Sequence, residues 1–189
     1  SAPPGLTFVV VSDDAKEKMK NRKTPIASFY ANLMAFDGYY EKKWFPYTMP
    51  ISDIYGLRAA FNLIAGDKTL YERHARIGSA TRAAVKEAGL KLHLQSGYSN
   101  TVTVFDIPEC TDAKSILDEM RTKYNIMLAG SFDELSGKVI RIGHMGENAR
   151  LEHMVPALEA LSATLTDLGV TLQGNLADLF LKHYREFQD

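Results

Sequence analysis

One arginine stands in the middle of an apolar, strand-like run at residues 138–143, KVIRIG. Alternation along a strand puts Val139 and Arg141 on one face and the two isoleucines on the other. A guanidinium in such a place is costly unless a carboxylate meets it, and its planar fork binds a carboxylate with two parallel hydrogen bonds. Two interpretations follow for Arg141. It forms a structural ion pair with an Asp or Glu of its own domain, or it holds the carboxylate of a substrate.

A second group that could do chemistry is the hydroxyl of Thr48, in YTMP, where an irregular segment leads into a predicted helix. A threonine in that position can cap the helix by accepting a hydrogen bond from a backbone N–H group. Alternatively, the hydroxyl and the N–H groups of the helix start can bind a phosphate, since helix N-termini attract anions. The sequence leaves both alternatives open.

The remaining reactive side chains carry weaker signals. The histidines at positions 74, 93, 144, 153 and 183 show no HExxH or other paired ligand spacing, so no metal site is predicted. His144, in RIGHMGENA, could line a site beside Arg141, but we interpret it as a surface-loop histidine. Cys110, beside Pro108, is interpreted as a small packing side chain rather than a nucleophile.

Composition limits the class of protein. The 189 residues are 46% hydrophobic and 24% charged, with a formal net charge of -1, as in ordinary soluble domains. Positive charge is not concentrated in a stripe, so a nucleic-acid partner is not expected. The apolar runs are too short for a membrane span, and no secretory leader is visible. One cysteine fits a reducing compartment, so a cytoplasmic location is expected, with an organelle interior as the alternative.

The first third of the chain is predicted to contain a strand, a short helix and a long irregular segment that leads into a second helix. Residues 6–11, LTFVVV, read as a strand buried on both faces of a sheet covered by helices. Ser12 is predicted to cap a short helix that runs through Met19. Residues 20–50 are rich in aromatic side chains without evident partners nearby, so another surface is expected to cover them.

From Pro50 onward the periodicity is helical and then mixed. Helices are predicted over 54–64 and 69–88, with a domain boundary near Gly66-Asp67. Further helices are predicted at 112–124, 151–168 and 175–187, and strands at 90–94, 102–107, 126–128 and 139–142. The expected fold class is therefore α/β, with residues 67–169 as a small two-layer α+β domain and residues 170–189 as a tail helix.

Five segments occur in an order that is similar to one known family: APPGLTFVVVSDDAKEKM, SFYANL, FPYTMPISDIYGLRAAF, SGYSNTVTVFDIP and NIMLAGSFDELSGKVIRIGHMG. They resemble the class V aminotransferases of fold type I, which use pyridoxal phosphate, and above all the alanine–glyoxylate and serine–pyruvate enzymes. The resemblance runs from Ser1 to about Gly169. It implies that residues 1–66 end the large cofactor-binding domain and form a dimer-interface segment.

The resemblance also implies roles for individual residues. Arg141 matches the arginine that binds the carboxylate of the amino acid and the 2-oxo acid. Thr48 matches the threonine that reaches the cofactor phosphate of the neighbouring subunit in a homodimer. Phe45 stands where some members have a tyrosine that shares this contact, and without a hydroxyl it offers only a weak cofactor contact. The Schiff-base lysine of the family lies upstream of the position of Ser1, so no catalytic residue is assigned within these 189 residues.

The implied activity is transfer of an amino group between alanine or serine and glyoxylate or pyruvate. Pyridoxamine–pyruvate and ureidoglycine–glyoxylate transamination are alternatives within the family. A different class of function is a non-catalytic, dimerising module. The 189-residue chain alone is expected to be inactive, and residues 1–66 are expected to be weakly protected or held by self-association.

Overall fold

The computed structural model describes residues 4–187. Within it the chain divides into two compact units, one ending at Gly66 and the other beginning at Asp67. Each unit is described separately below.

The first unit contains two α-helices, α1 (Asp13–Lys20) and α2 (Ile51–Gly66), and a short 3-10 turn at Leu33–Phe36. The predicted cap of α1 is confirmed, because the Ser12 hydroxyl accepts a hydrogen bond from the Ala15 backbone N–H at 3.2 Å. Helix α2 has little buried surface of its own: only Ala60 of its residues is buried.

The predicted opening strand is wrong for this structure. Residues 6–11 form no strand, and their apolar side chains are largely exposed, with Phe8 at 66% and Val10 at 98%. A strand requires a partner for its backbone hydrogen bonds, and no neighbouring strand lies beside this segment in residues 4–66. Within the described residues, the aromatic contact of this segment is between the rings of Phe8 and Phe61, at 5.7 Å.

The aromatic segment has more local partners than the sequence indicated. Tyr47 lies 5.3 Å from the rings of both Phe29 and Tyr30, and 5.5 Å from that of Phe36. Its hydroxyl also donates a hydrogen bond to the Phe29 carbonyl. The expectation that these rings find no partner nearby is therefore wrong, because tilted and edge-on contacts join them into one cluster. Many of them nevertheless remain mostly exposed.

Four helices build the second unit: α3 (Leu70–Glu87), α4 (Ala113–Tyr124), α5 (Leu151–Asp167) and α6 (Leu176–Glu186). Local signals set their ends. Asp112 caps α4 through the Ser115 N–H, and Asn175 caps α6 through the Ala177 N–H. Gly89 and Gly169 follow α3 and α5 with φ of 88° and 84°, a left-handed conformation that glycine adopts without strain.

The sheet of the second unit has two antiparallel strands, β1 (Val102–Asp106) and β2 (Val139–Gly143). Their register pairs Val104 with Arg141. The other two predicted strands are wrong as strands. Within residues 90–94 only Leu92 forms a bridge, to Phe105, and next to residues 126–128 only Ala129 forms one, to Arg141.

One face of this sheet is covered by helices. Thr103 and Phe105 of β1 and Ile140 and Ile142 of β2 are buried together with apolar side chains of all four helices of the unit. Helix α6 packs against α3 and α5. Across residues 4–187, none of the helices combines the length and the apolar character that crossing a membrane requires.

Candidate functional site

The backbone of Arg141 lies between two neighbouring segments. On one side it lies opposite Val104 of β1, in a pair whose own backbone groups are not bonded to each other. On the other side, its N–H donates to the Ala129 carbonyl at 2.7 Å, and its carbonyl accepts from the Ala129 N–H at 3.3 Å. The arginine is therefore the point at which three segments of backbone meet, and its Cα position is firmly fixed.

The side chain of Arg141 is half-buried and makes two contacts with the loop that precedes β2. Its Nε–H donates a hydrogen bond to the Gly130 carbonyl. Its guanidinium carbon lies 5.4 Å from the centre of the Phe132 ring. In the part of the chain that the structure describes, no Asp or Glu lies within ion-pair distance of Arg141. The internal ion pair, one of the two interpretations of Arg141, is thus not found in residues 4–187.

An acidic group does lie on the same face of β1 as Val104, but it is already paired. The Asp106 carboxylate binds Lys91 at 2.8 Å and His93 at 2.7 Å. Hydrogen bonds from these two side chains, that from Lys91 foremost, hold the pKa of Asp106 below its usual range. Arg141 therefore keeps a positive charge that no neighbour in the described chain neutralises.

His144 is buried, so its interpretation as a surface-loop residue is wrong. It is 0% exposed, and its ring bonds the Asn100 carbonyl through Nδ1 at 3.1 Å and the Thr103 hydroxyl through Nε2 at 2.9 Å. Because a carbonyl only accepts, Nδ1 carries the proton and Nε2 accepts from Thr103. Burial lowers the pKa of His144 to about 4, so the ring is neutral near pH 7. Residues 140, 142 and 144 alternate along one strand face, and the two isoleucines on that face indicate that His144 is buried as well.

A second histidine holds the same loop from the other side. His74 of α3 accepts a hydrogen bond at Nε2 from the Gly146 N–H at 3.0 Å, and its Nδ1 donates to the Leu70 carbonyl at 2.6 Å. The loop after β2 is therefore tied to β1 through His144 and to α3 through His74. No local pattern in the sequence indicates the second tie, because its partners lie 72 residues apart.

Thr48 and Phe45 belong to the first unit. Thr48 is exposed, and its hydroxyl makes no hydrogen bond with residues 4–187. Because α2 begins three residues later, at Ile51, the helix-cap interpretation of Thr48 is not found. Thr48 lines an open cleft of about 500 Å³ with side chains of the aromatic cluster.

The ring of Phe45 packs inside the aromatic cluster. It lies 5.6 Å from the Phe36 ring and 5.9 Å from the Tyr39 ring, and it is half-buried. Local packing therefore accounts for its presence. Among the described residues, no group of three or more His, Cys, Asp or Glu side chains is arranged to hold a metal ion.

No protein-family model matches the chain. Individual proteins are nevertheless similar to it. An uncharacterised aminotransferase of Methanocaldococcus jannaschii is 36% identical over 173 residues, which cover 89% of this chain and 44% of that protein. A serine–glyoxylate aminotransferase of Arabidopsis thaliana is 35% identical over 193 residues, covering 97% of this chain and 47% of that protein.

A solved structure agrees with these relatives. The pyridoxamine–pyruvate aminotransferase of Mesorhizobium loti superposes with a TM-score of 0.83 at 31% identity, over 93% of this chain and 46% of that one. The chain thus spans about half the length of the proteins that it matches. Sequence and fold together show that it belongs, as a C-terminal part, to the class V aminotransferases of the alanine–glyoxylate and serine–glyoxylate group.

Proposed function

We propose that this chain forms the C-terminal part of an aminotransferase that moves an amino group between a small amino acid, alanine or serine, and glyoxylate or pyruvate. Arg141 binds the carboxylate that all of these substrates carry. The observation that carries the proposal is a half-buried guanidinium with no acidic partner in residues 4–187, within a chain homologous to aminotransferases.

The role of Arg141 is to bind and orient. A guanidinium can bind a carboxylate with two parallel hydrogen bonds, so it fixes both the position and the direction of the substrate. Holding the carboxylate decides which bond at the substrate Cα is aligned for reaction. Arg141 takes no part in proton transfer, because a guanidinium offers N–H donors and no acceptor.

The aminotransferases of this family use pyridoxal phosphate, which supplies an electron sink for the bonds of the substrate Cα. Thr48 fits a contact with its phosphate, since the threonine hydroxyl is exposed and uncommitted and lies just before α2. In our proposal, Thr48 reaches the cofactor of the neighbouring subunit in a homodimer. Phe45 has no hydroxyl and adds at most an apolar contact.

Two related reactions remain candidates. Pyridoxamine–pyruvate transamination is favoured by the fold similarity to an enzyme of that name, at a TM-score of 0.83. Ureidoglycine–glyoxylate transamination requires the same carboxylate contact. A panel with alanine, serine, ureidoglycine and pyridoxamine as donors, each with glyoxylate and with pyruvate, separates these alternatives. We also propose a location in the cytoplasm or in an organelle, in keeping with the single cysteine.

The central test replaces Arg141 in an enzyme that contains this chain together with the N-terminal half of the fold. Arg141→Gln keeps a polar side chain but removes the charge and the fork. We expect kcat/KM for amino and 2-oxo acids to fall by about 10- to 100-fold, the size of a lost charge-assisted contact. Arg121→Gln is the matched control, because Arg121 is exposed and pairs with Asp118 at 3.0 Å on the surface of α4. Equal activity of the two variants would refute the proposed role.

The 189-residue chain alone tests the alternative of a non-catalytic module. We expect no turnover of alanine with glyoxylate when pyridoxal phosphate is added to it, and recovery of turnover when the N-terminal half is supplied. Activity of the chain by itself, or no recovery after complementation, would contradict the proposal.

A further inference from the structure

We propose that Phe132 is a positioning residue for Arg141: its ring and the Gly130 carbonyl together orient the guanidinium toward the substrate carboxylate. The inference rests on the proposed function of Arg141 and adds a residue that determines how tightly the carboxylate is held.

The first observation is the placement of the Phe132 ring. It is 74% exposed and is not part of the hydrophobic core of the second unit. An aromatic ring left in water gains little from burial, so packing against the core does not explain its presence. The group that it does meet is the Arg141 guanidinium, at 5.4 Å from the ring centre. This distance is within the range of cation–π contacts.

The second observation is that the loop carrying the ring is held in one conformation. The Phe132 carbonyl accepts from the Leu135 N–H at 3.1 Å, and the Asp133 carbonyl accepts from the Ser136 N–H at 3.0 Å. Asp133 has a φ of 48°, a left-handed conformation that Asp tolerates better than most residues. The turn therefore positions the ring of Phe132, while the bridge between Ala129 and Arg141 positions the neighbouring Gly130 carbonyl.

The third observation concerns which nitrogen atoms of Arg141 are used. The Gly130 carbonyl accepts from the Nε–H, while the guanidinium carbon lies over the Phe132 ring. In residues 4–187 neither Nη1 nor Nη2 makes an ion pair or a hydrogen bond. The contacts with Gly130 and Phe132 thus restrict rotation of the guanidinium. They leave Nη1 and Nη2 free to bind the two oxygens of a carboxylate. A group oriented before binding loses less conformational freedom when the ligand arrives.

The test uses the same enzyme as the Arg141 experiment, with Phe132→Leu and Phe132→Tyr. Leucine keeps an apolar side chain without a π face, and tyrosine keeps the ring. We expect Phe132→Leu to raise KM for the 2-oxo acid about two- to fivefold, as for exposed cation–π contacts, with kcat nearly unchanged. Phe132→Tyr should behave as the parent enzyme. Tyr71→Leu is the control, because Tyr71 is an 86% exposed ring on α3.

A double-substitution cycle shows whether Phe132 acts through Arg141. The dissociation constant of the 2-oxo acid is measured for the parent, Phe132→Leu, Arg141→Gln and the combined variant. We expect the Phe132 effect to disappear when Arg141 is absent. An equal effect in both backgrounds, or none in either, would overturn the positioning role and leave the proposed function intact. No effect of Arg141→Gln would refute the proposed function itself.

An activity-independent readout is the NMR spectrum of the 189-residue chain. A ring that lies over the guanidinium shifts the Arg141 side-chain proton resonances upfield, and Phe132→Leu should abolish that shift while Tyr71→Leu leaves it. Unchanged Arg141 resonances in Phe132→Leu would show that the contact does not exist in solution.

Discussion

At the scale of single residues, buried polar groups decide the geometry next to Arg141. His144 occupies a core position at the end of β2, where an apolar side chain would satisfy the packing. It instead bonds Thr103 and the Asn100 carbonyl, and it tolerates burial only as the neutral ring. The loop after the Arg141 strand is therefore sensitive to the protonation of one histidine.

This gives a prediction about stability and pH. Burial, with a smaller effect from the nearby charge of Arg82, lowers the pKa of His144 from an ordinary value of about 6.5 to about 4, although the hydrogen bond to the Asn100 carbonyl acts in the opposite direction. A lowered pKa means that the unfolded state binds more protons, so the stabilisation is fully present above about pH 6.5 and is lost as the pH falls toward 4. The free energy of unfolding should drop over that range by at most about 3 kcal/mol from this residue.

Urea unfolding followed by far-UV circular dichroism measures this free energy at each pH, because four of the six α-helices in residues 4–187 lie in the second unit. His144→Gln should make the curve of stability against pH flatter between pH 6.5 and 4.5. His153→Gln, on the exposed face of α5, is the matched control and should follow the parent protein. Parallel curves for the parent and His144→Gln would contradict the predicted contribution.

At the scale of elements, α6 is joined to the second unit by polar contacts as well as by apolar packing. The Ser162 hydroxyl of α5 accepts from the buried Leu176 N–H at 2.7 Å. Glu87 of α3 pairs with Lys182 at 2.7 Å and with His183 at 2.6 Å. The exposed ion pairs contribute little, whereas the bond to a buried N–H is costly to lose.

Ser162→Ala tests the contribution of that bond. The substitution leaves the Leu176 N–H buried without an acceptor, so we expect the free energy of unfolding to fall by about 1–3 kcal/mol. Ser136→Ala, at an exposed turn, is the control and should change stability by less than about 0.5 kcal/mol. Thermal or urea denaturation gives both values, and similar losses in the two variants would show that α6 does not depend on the Ser162 contact.

At the scale of the whole molecule, buried apolar surface is distributed unevenly. The second unit has a continuous core of fully buried side chains, including Ile77, Phe105, Ile140 and Leu161. In the described part of the first unit, Ala60 is the only buried apolar residue. Resistance to local unfolding follows buried contacts, so the two units should differ strongly in protection.

Amide hydrogen exchange in a dilute monomer measures that difference. We expect the amides of α1 and α2 to exchange much faster than those of α3 and α5, because the helices of the first unit bury almost nothing. At higher concentration, slower exchange in the first unit would accompany self-association detectable by sedimentation velocity. Equally slow exchange of all four helices in the monomer would count against this prediction.

The elements that follow local rules could be predicted from the amino-acid order. All six α-helices were predicted near their observed positions, because apolar periodicity, capping by Ser12 and Asp112, and termination at Gly89 and Gly169 act within a few residues. The position of Arg141 on the strand face opposite the two isoleucines followed from alternation in the same way. The family resemblance came from the order of local motifs.

Contacts between residues far apart in the chain could not be predicted in this way. Residues 6–11 and 126–128 have strand-like composition but form no strands, because strand formation requires a neighbour that local composition does not specify. The contact of His74 with Gly146, the burial of His144 and the Phe132 ring beside Arg141 join groups that come together only after folding. Local signals are enough to define a helix and its ends, whereas strands and the hydrogen bonds and charges around the arginine depend on distant backbone that only folding brings there.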